Sequence, residues 1–190
     1  MNRQGLLLSL VLCASLALAA EIEGVKVDER VTVGSAALQL NGAGIRTRLF
    51  FKVYVGALYL PERNSGAADV LALKGAKRVS MTLLRDLTAR QITDAFEEGI
   101  RGNSSEAELA ALKDQLGAFV ATINEIGSAK EKTVITFDFL PESGTQITVD
   151  GAARGKPVPG EDFYVALLKI WLGDKPVDAN LKRGMLGQRG

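Results

Sequence analysis

The sequence predicts a single α+β domain, an antiparallel sheet with helices gathered on one face. Three observations predict it. Short segments that alternate apolar and polar residues, Arg78–Leu83, Ile135–Phe139 and Ile147–Val149, read as half-buried strands. Turn signals lie between neighbouring strands, which implies local antiparallel hairpins. Apolar residues recur at helical spacing over 92–100, 109–123 and 163–171. The order is strands, two helices, two strands, two helices, with no repeat, linker or low-complexity stretch. The sequence thus divides into a signal peptide, 1–19, and one domain, 20–190.

The elements follow in order. Arg3 opens the chain, and Gly5–Leu16 is an apolar run too short to span a bilayer comfortably. Ala17-Leu18-Ala19 fits the small-x-small cleavage rule, so a signal peptide cleaved after Ala19 is expected, with export to the periplasm or beyond and no stable membrane anchor. The alternative is a transmembrane anchor. Cys13 is the single cysteine and would leave with the signal. The mature protein then has no disulfide and depends on core burial.

Val31–Leu40 reads as a strand, joined in a hairpin to the next over an Asn41-Gly42 turn. Residues 40–61 carry the most information. Phe51, Val53, Val55 and Ala57 point to one side and Phe50, Leu58 and Leu60 to the other, so this strand is expected to be covered on both faces. Arg46, Arg48, Lys52 and Tyr54 interrupt the apolar surface. A buried Arg needs an anion, because an unpaired buried charge costs several kcal/mol. An anionic head on a hydrophobic body suits such a site.

Glu62–Gly66 reads as a polar loop, and Ala67–Leu73 as one or two helical turns. Thr88 and Gln91 are spaced as a capping box, followed by Ile92, Ala95, Phe96 and Ile100 on one helix face. Ser105 and Glu108 repeat the pattern ahead of the stripe Leu109–Ile123, which predicts one long helix ending before Gly127. Two strands follow, turning at Pro141–Gly144, with a further turn at Asp150-Gly151. A helix presents Phe163, Leu167, Ile170 and Trp171, and Gly173 suits its C′ position. Asp178 caps a terminal helix bearing Leu181 and Met185.

Composition excludes several function classes. Lys and Arg total 23 against 22 Asp and Glu, which argues against a nucleic-acid partner bound by net charge. The chain has no histidine, so no Ser-His-Asp or Cys-His nucleophile and no His-ligated metal or haem is available. Neither a calcium-binding loop nor a Gly-rich phosphate loop appears, and no metal or cofactor is expected.

Two blocks carry a family resemblance. Gly42-Ala43-Gly44-Ile45-Arg46 leads into an apolar strand running from Lys52 to Tyr59-Leu60, and Phe163–Lys182 reads as a helix, a Gly turn and a short helix. Together they resemble the chalcone isomerase family, closest to its bacterial exported branch. The resemblance implies an open-faced β-sandwich, a curved antiparallel sheet backed by helices. For the catalytic branch it implies an Arg, matched by Arg46, and a Thr, replaced by Tyr54. It also implies a Tyr, a Lys and an Asn on a helix, where this chain has Ile92, Ala95 and Gly99. Losing even one positioned donor costs ~10²–10³ in rate, so chalcone isomerisation is not expected. For the fatty-acid-binding branch the resemblance implies an Arg and a Tyr gripping an acyl carboxylate, which Arg46 and Tyr54 supply.

The expected function is therefore non-catalytic binding of a small amphipathic carboxylate, such as a fatty acid, by Arg46, Tyr54 and Arg85. The alternatives are an intramolecular lyase on another substrate, using Arg46 and Tyr54, and a periplasmic interaction module. A binder should show a cleft of several hundred Å³. Other readings of the same residues are simpler: Arg46 pairing with Asp86 or Asp138, Tyr54 and Tyr59 as core aromatics, Trp171 as a packing anchor, and Lys52 reaching to water. Eight residues of straight strand span roughly 26 Å, so Arg46 and Tyr54 share a ligand only if the chain turns between them.

Overall fold

The computed structural model describes residues 20–188, and the signal peptide expected over 1–19 lies outside them. The elements are β1 (Ala20–Ile22), β2 (Val25–Val27), β3 (Arg30–Val33), β4 (Ala36–Arg48), β5 (Phe51–Leu60), α1 (Ala67–Ala72), β6 (Lys77–Leu83), α2 (Ala89–Gly102), α3 (Glu106–Ala111), α4 (Lys113–Ile126), β7 (Val134–Leu140), β8 (Gly144–Val149), β9 (Ala152–Val158), α5 (Glu161–Leu172) and α6 (Ala179–Met185). Strands β3 to β9 form one antiparallel sheet in chain order, and β1 and β2 form a separate hairpin. The α+β class and the helix-backed curved sheet are as expected.

The turn between β4 and β5 is not at Asn41-Gly42. It is at Leu49–Phe50, and β4 runs unbroken in the chain through Asn41 and Gly42, with a register shift there. Asn41 is buried instead. Its side chain donates to the Met185 carbonyl at 2.8 Å and accepts from the Asn64 N–H at 2.7 Å. Gly42 serves close approach rather than a turn. A Cβ there would lie 2.1 Å from the Gly184 carbonyl oxygen, and one on Gly184 would lie 2.6 Å from the Ala43 carbonyl oxygen. Helix α6 therefore rests directly on the β4 backbone. Asp178 fastens its start: one carboxylate oxygen caps the helix through the Asn180 and Leu181 N–H groups, and the other accepts from Thr47 N–H at 2.9 Å.

All eight residues from Val53 to Leu60 are buried, as a strand covered on both faces requires. Leu58 and Leu60 join the main core between sheet and helices, while Val55, Ala57 and Tyr59 join a smaller core with Val27, Val33 and Leu38. Val53, expected beside Val55, joins the main core instead, where the ladder shifts register between Arg46 and Thr47. Phe50 and Phe51, expected to be covered, are exposed, because the chain turns there. In the main core Phe96 meets Phe119, Phe137 and Trp171 edge-on, with ring centroids 5.1 to 6.1 Å apart. Such pairs add to the area they bury.

Both capping boxes form, at Thr88–Gln91 and Ser105–Glu108. Elsewhere local signals misled. The strand expected over Val31–Leu40 is two strands, split by a turn at Gly34 with φ of +58°. The helix expected through Leu109–Ile123 breaks at Leu112 (φ −99°, ψ 11°), and the bend seats Leu112 in the main core. Gly173 ends α5 with φ of −70°, outside the left-handed region expected of it. It is small because Asn103 Oδ1 would lie 2.4 Å from a Cβ. Strand β9 carried no signal, being an edge strand with six of its seven residues exposed.

Candidate functional site

The turn at Leu49–Phe50 resolves the distance problem between Arg46 and Tyr54. They face each other across the β4–β5 ladder as register partners. Both border a cavity of about 160 Å³ between the sheet and α2, with Arg85 at its rim. The structure thus brings the three expected residues to one cleft.

Arg46 is half-buried, and its buried Nε atom has no hydrogen-bond partner among the described residues. The carboxylates expected to pair with it are taken. Asp138 accepts two hydrogen bonds from Arg78, at 2.5 and 2.6 Å, and Asp86 accepts from Lys130 at 2.8 Å. Asp178 is committed to Thr47 and to the start of α6. Among the described residues no carboxylate forms an ion pair with Arg46. Its guanidinium carbon stands 5.9 Å from the centre of the Tyr54 ring.

Tyr54 is buried, and its hydroxyl oxygen accepts from Trp171 Nε1 at 2.8 Å. Burial pushes its pKa up to about 12, against the opposing effect of Arg46. The phenol is therefore neutral at physiological pH. With the Trp171 N–H on its oxygen, its own proton remains available for donation to another acceptor. Trp171 is the packing anchor expected, and it also positions this donor.

Arg85 is exposed, and its guanidinium carbon lies 4.8 Å from the centre of the Phe51 ring. Lys52 does reach out from the sheet and pairs with Glu23 at 2.7 Å. Tyr59 is a core aromatic, as its simpler reading holds.

The opposite wall is apolar. Ile92 and Ala95 of α2 line the cleft with Phe96. Gly99 does not reach it: a Cβ there would stand 2.9 Å from Ile170 Cγ2, so Gly99 lets α2 pack on α5. None of the three positions offers the cleft a polar side chain. Gln91, also on the lining, spends its Oε1 on the Thr88 N–H at 2.9 Å.

Sequence reasoning missed Leu49 and Phe51, which line the mouth, and gave Arg48 no site role. Leu49-Phe50 carries no turn chemistry that could have marked a turn there. A turn at Leu49–Phe50 would have brought both flanks to the same end as Arg46 and Tyr54. The cavity is also smaller than the several hundred Å³ expected, and the bulky Phe96, Ile170 and Trp171 are part of its lining. It resembles cavities of ~150 Å³ that hold one benzene ring. The arrangement suits an anionic head at Arg46 and Tyr54, with a short apolar body against Met81, Leu83 and Ile92. Among the described residues no cluster of three or more His, Cys, Asp or Glu could hold a metal.

No curated protein matches the chain by sequence. Among solved structures, the crystal structure of a fatty-acid-binding protein from Arabidopsis thaliana superposes with a TM-score of 0.70 at 15% identity, covering 89% of this chain and 95% of that one. At that identity the likeness shows the fold, which is the one described above. The family model described as chalcone isomerase-like matches residues 19–187, nearly the whole chain, and the protein belongs to the chalcone isomerase-like family.

Proposed function

We propose that the protein binds an amphipathic carboxylate, of the fatty-acid type, without catalysing its conversion. Arg46 and Tyr54 hold the head in this reading, and Arg85 stands at the rim as an auxiliary cation. The observation that carries it is the buried, unpartnered Arg46 Nε at the polar end of an apolar cleft. A charge-assisted pair with a carboxylate supplies the partner that the protein withholds. The name of the Arabidopsis structure, a fatty-acid-binding protein, supports the ligand class. The apolar side chains of Ile92 and Ala95 support binding over chemistry, since neither offers a donor to a developing oxyanion. The small cavity encloses the head and a few carbons, and a longer chain leaves past Leu49 and Phe51. We further propose that the protein is exported, with residues 1–19 removed.

Calorimetry with decanoate and decanol tests the head-group assignment. Arg46→Ala should weaken decanoate binding by about 2–3 kcal/mol, a 30- to 150-fold rise in Kd. Decanol, with no charge, should lose at most a few-fold. If decanoate binding is absent, or equal in both proteins, the reading is wrong.

A further inference from the structure

The β4–β5 turn sets its largest apolar side chains in solvent. Phe50 is 95% exposed, Leu49 83% and Phe51 57%. They stand at a two-residue turn, and Phe50 lines no part of the cleft. Leu49 holds φ of +56°, a region that favours glycine and is costly for a bulky residue. A tight turn would be served better by Gly or Asn, so folding explains neither the residue nor its exposure. Around this tip stand Arg48, Lys52 and Arg85. Glu23 pairs with Lys52, and Asp86, beside Arg85, is held by Lys130. Among the described residues Arg48 has no ion pair, and Arg85 stacks on Phe51. Leu49, Phe51, Arg48 and Arg85 also line the mouth of the cleft.

We propose that this tip docks reversibly on an anionic lipid bilayer, with Phe50 and Leu49 entering the headgroup–acyl boundary and the cations meeting lipid phosphates. An apolar wedge ringed by cations is complementary to such a surface, where the two attractions add. The placement puts the cleft mouth at the membrane, so an acyl chain passes between bilayer and cleft without crossing water. This deepens the binding reading above and rests on it for the identity of the cargo.

Phe50 lines no part of the cleft, so it is the residue to change. Phe50→Trp provides a reporter, because the one native tryptophan, Trp171, is buried. Its emission should shift to the blue and be quenched by brominated lipid in phosphatidylglycerol-containing vesicles. Pure phosphatidylcholine, or high salt, should diminish both signals. Phe50→Ser should lower co-sedimentation with anionic vesicles about tenfold. It should leave decanoate binding in lipid-free buffer unchanged. All variants share one N-terminus, so any contribution of residues 1–19 cancels. If decanoate binds but Phe50→Trp emission ignores vesicles, the docking proposal is wrong and the binding reading stands. If vesicles bind through Phe50 but decanoate does not, docking stands and the cargo assignment falls. A lipid-free dimer that Phe50→Ser dissociates, without vesicle binding, would show that a second copy covers the tip and would overturn the proposal.

Discussion

The hydroxyl of Tyr54 sits between two demands: it accepts from Trp171 Nε1 at 2.8 Å, and Tyr54 lines the cleft that Arg46 borders. Removing it should have separable effects. Tyr54→Phe leaves the buried indole N–H unsatisfied, which should cost about 1–3 kcal/mol of stability in urea unfolding. It also removes one donor to the carboxylate, which should weaken decanoate binding by about 1 kcal/mol, or roughly fivefold. Lost stability with unchanged affinity would make Tyr54 purely structural. The pH dependence has a definite sign. The folded-state pKa of about 12 lies above the ordinary tyrosine value of 10.0, so folding favours the protonated phenol. This contribution is intact below pH 10 and is lost as pH rises toward 12. Tyr54's share of decanoate binding should accordingly stay flat from neutral pH to about 10.

Helix α6 controls the site from outside it. Its contact with β4 runs backbone to backbone at Gly42 and Gly184, and Asp178 at its start holds Thr47, the neighbour of Arg46. Gly42→Ala places a methyl 2.1 Å from a carbonyl oxygen, a contact that no side-chain rotation relieves. The helix must move, at a cost of about 1–3 kcal/mol. A lower urea midpoint together with weaker decanoate binding is the expected result; an unchanged midpoint would show that α6 tolerates the shift. This also explains why the Gly42-Ala43-Gly44 run was misleading. Glycine marks both turns and close backbone approaches, and the sequence does not distinguish them until the packing partner, Gly184 near the other end of the chain, is known.

For the molecule as a whole, the chalcone isomerase-like fold does not by itself imply isomerase chemistry. Cyclisation of a hydroxychalcone should exceed the uncatalysed rate in the same buffer by less than about 10³-fold, equivalent to about 4 kcal/mol of transition-state stabilisation. A larger acceleration, abolished by Arg46→Ala, would put the lyase reading first. Period and capping signals revealed α2, α5, α6 and strands β6 to β8, because each depends on residues a few positions apart. The same short range explains the misses at the β4–β5 turn, the Leu112 break and β9, whose outlines depend on what packs or pairs from elsewhere. At the site, residue order alone places an Arg and a Tyr within an apolar strand and leaves no histidine available. That Arg46 and Tyr54 stand opposite each other, and that among the described residues no carboxylate pairs with Arg46, emerges only once the chain is folded. Asp138 goes to Arg78, 60 residues away, and Asp86 to Lys130, 44 residues away. Sheet register and loop closure make those pairings, and both are properties of the assembled chain rather than of any segment within it.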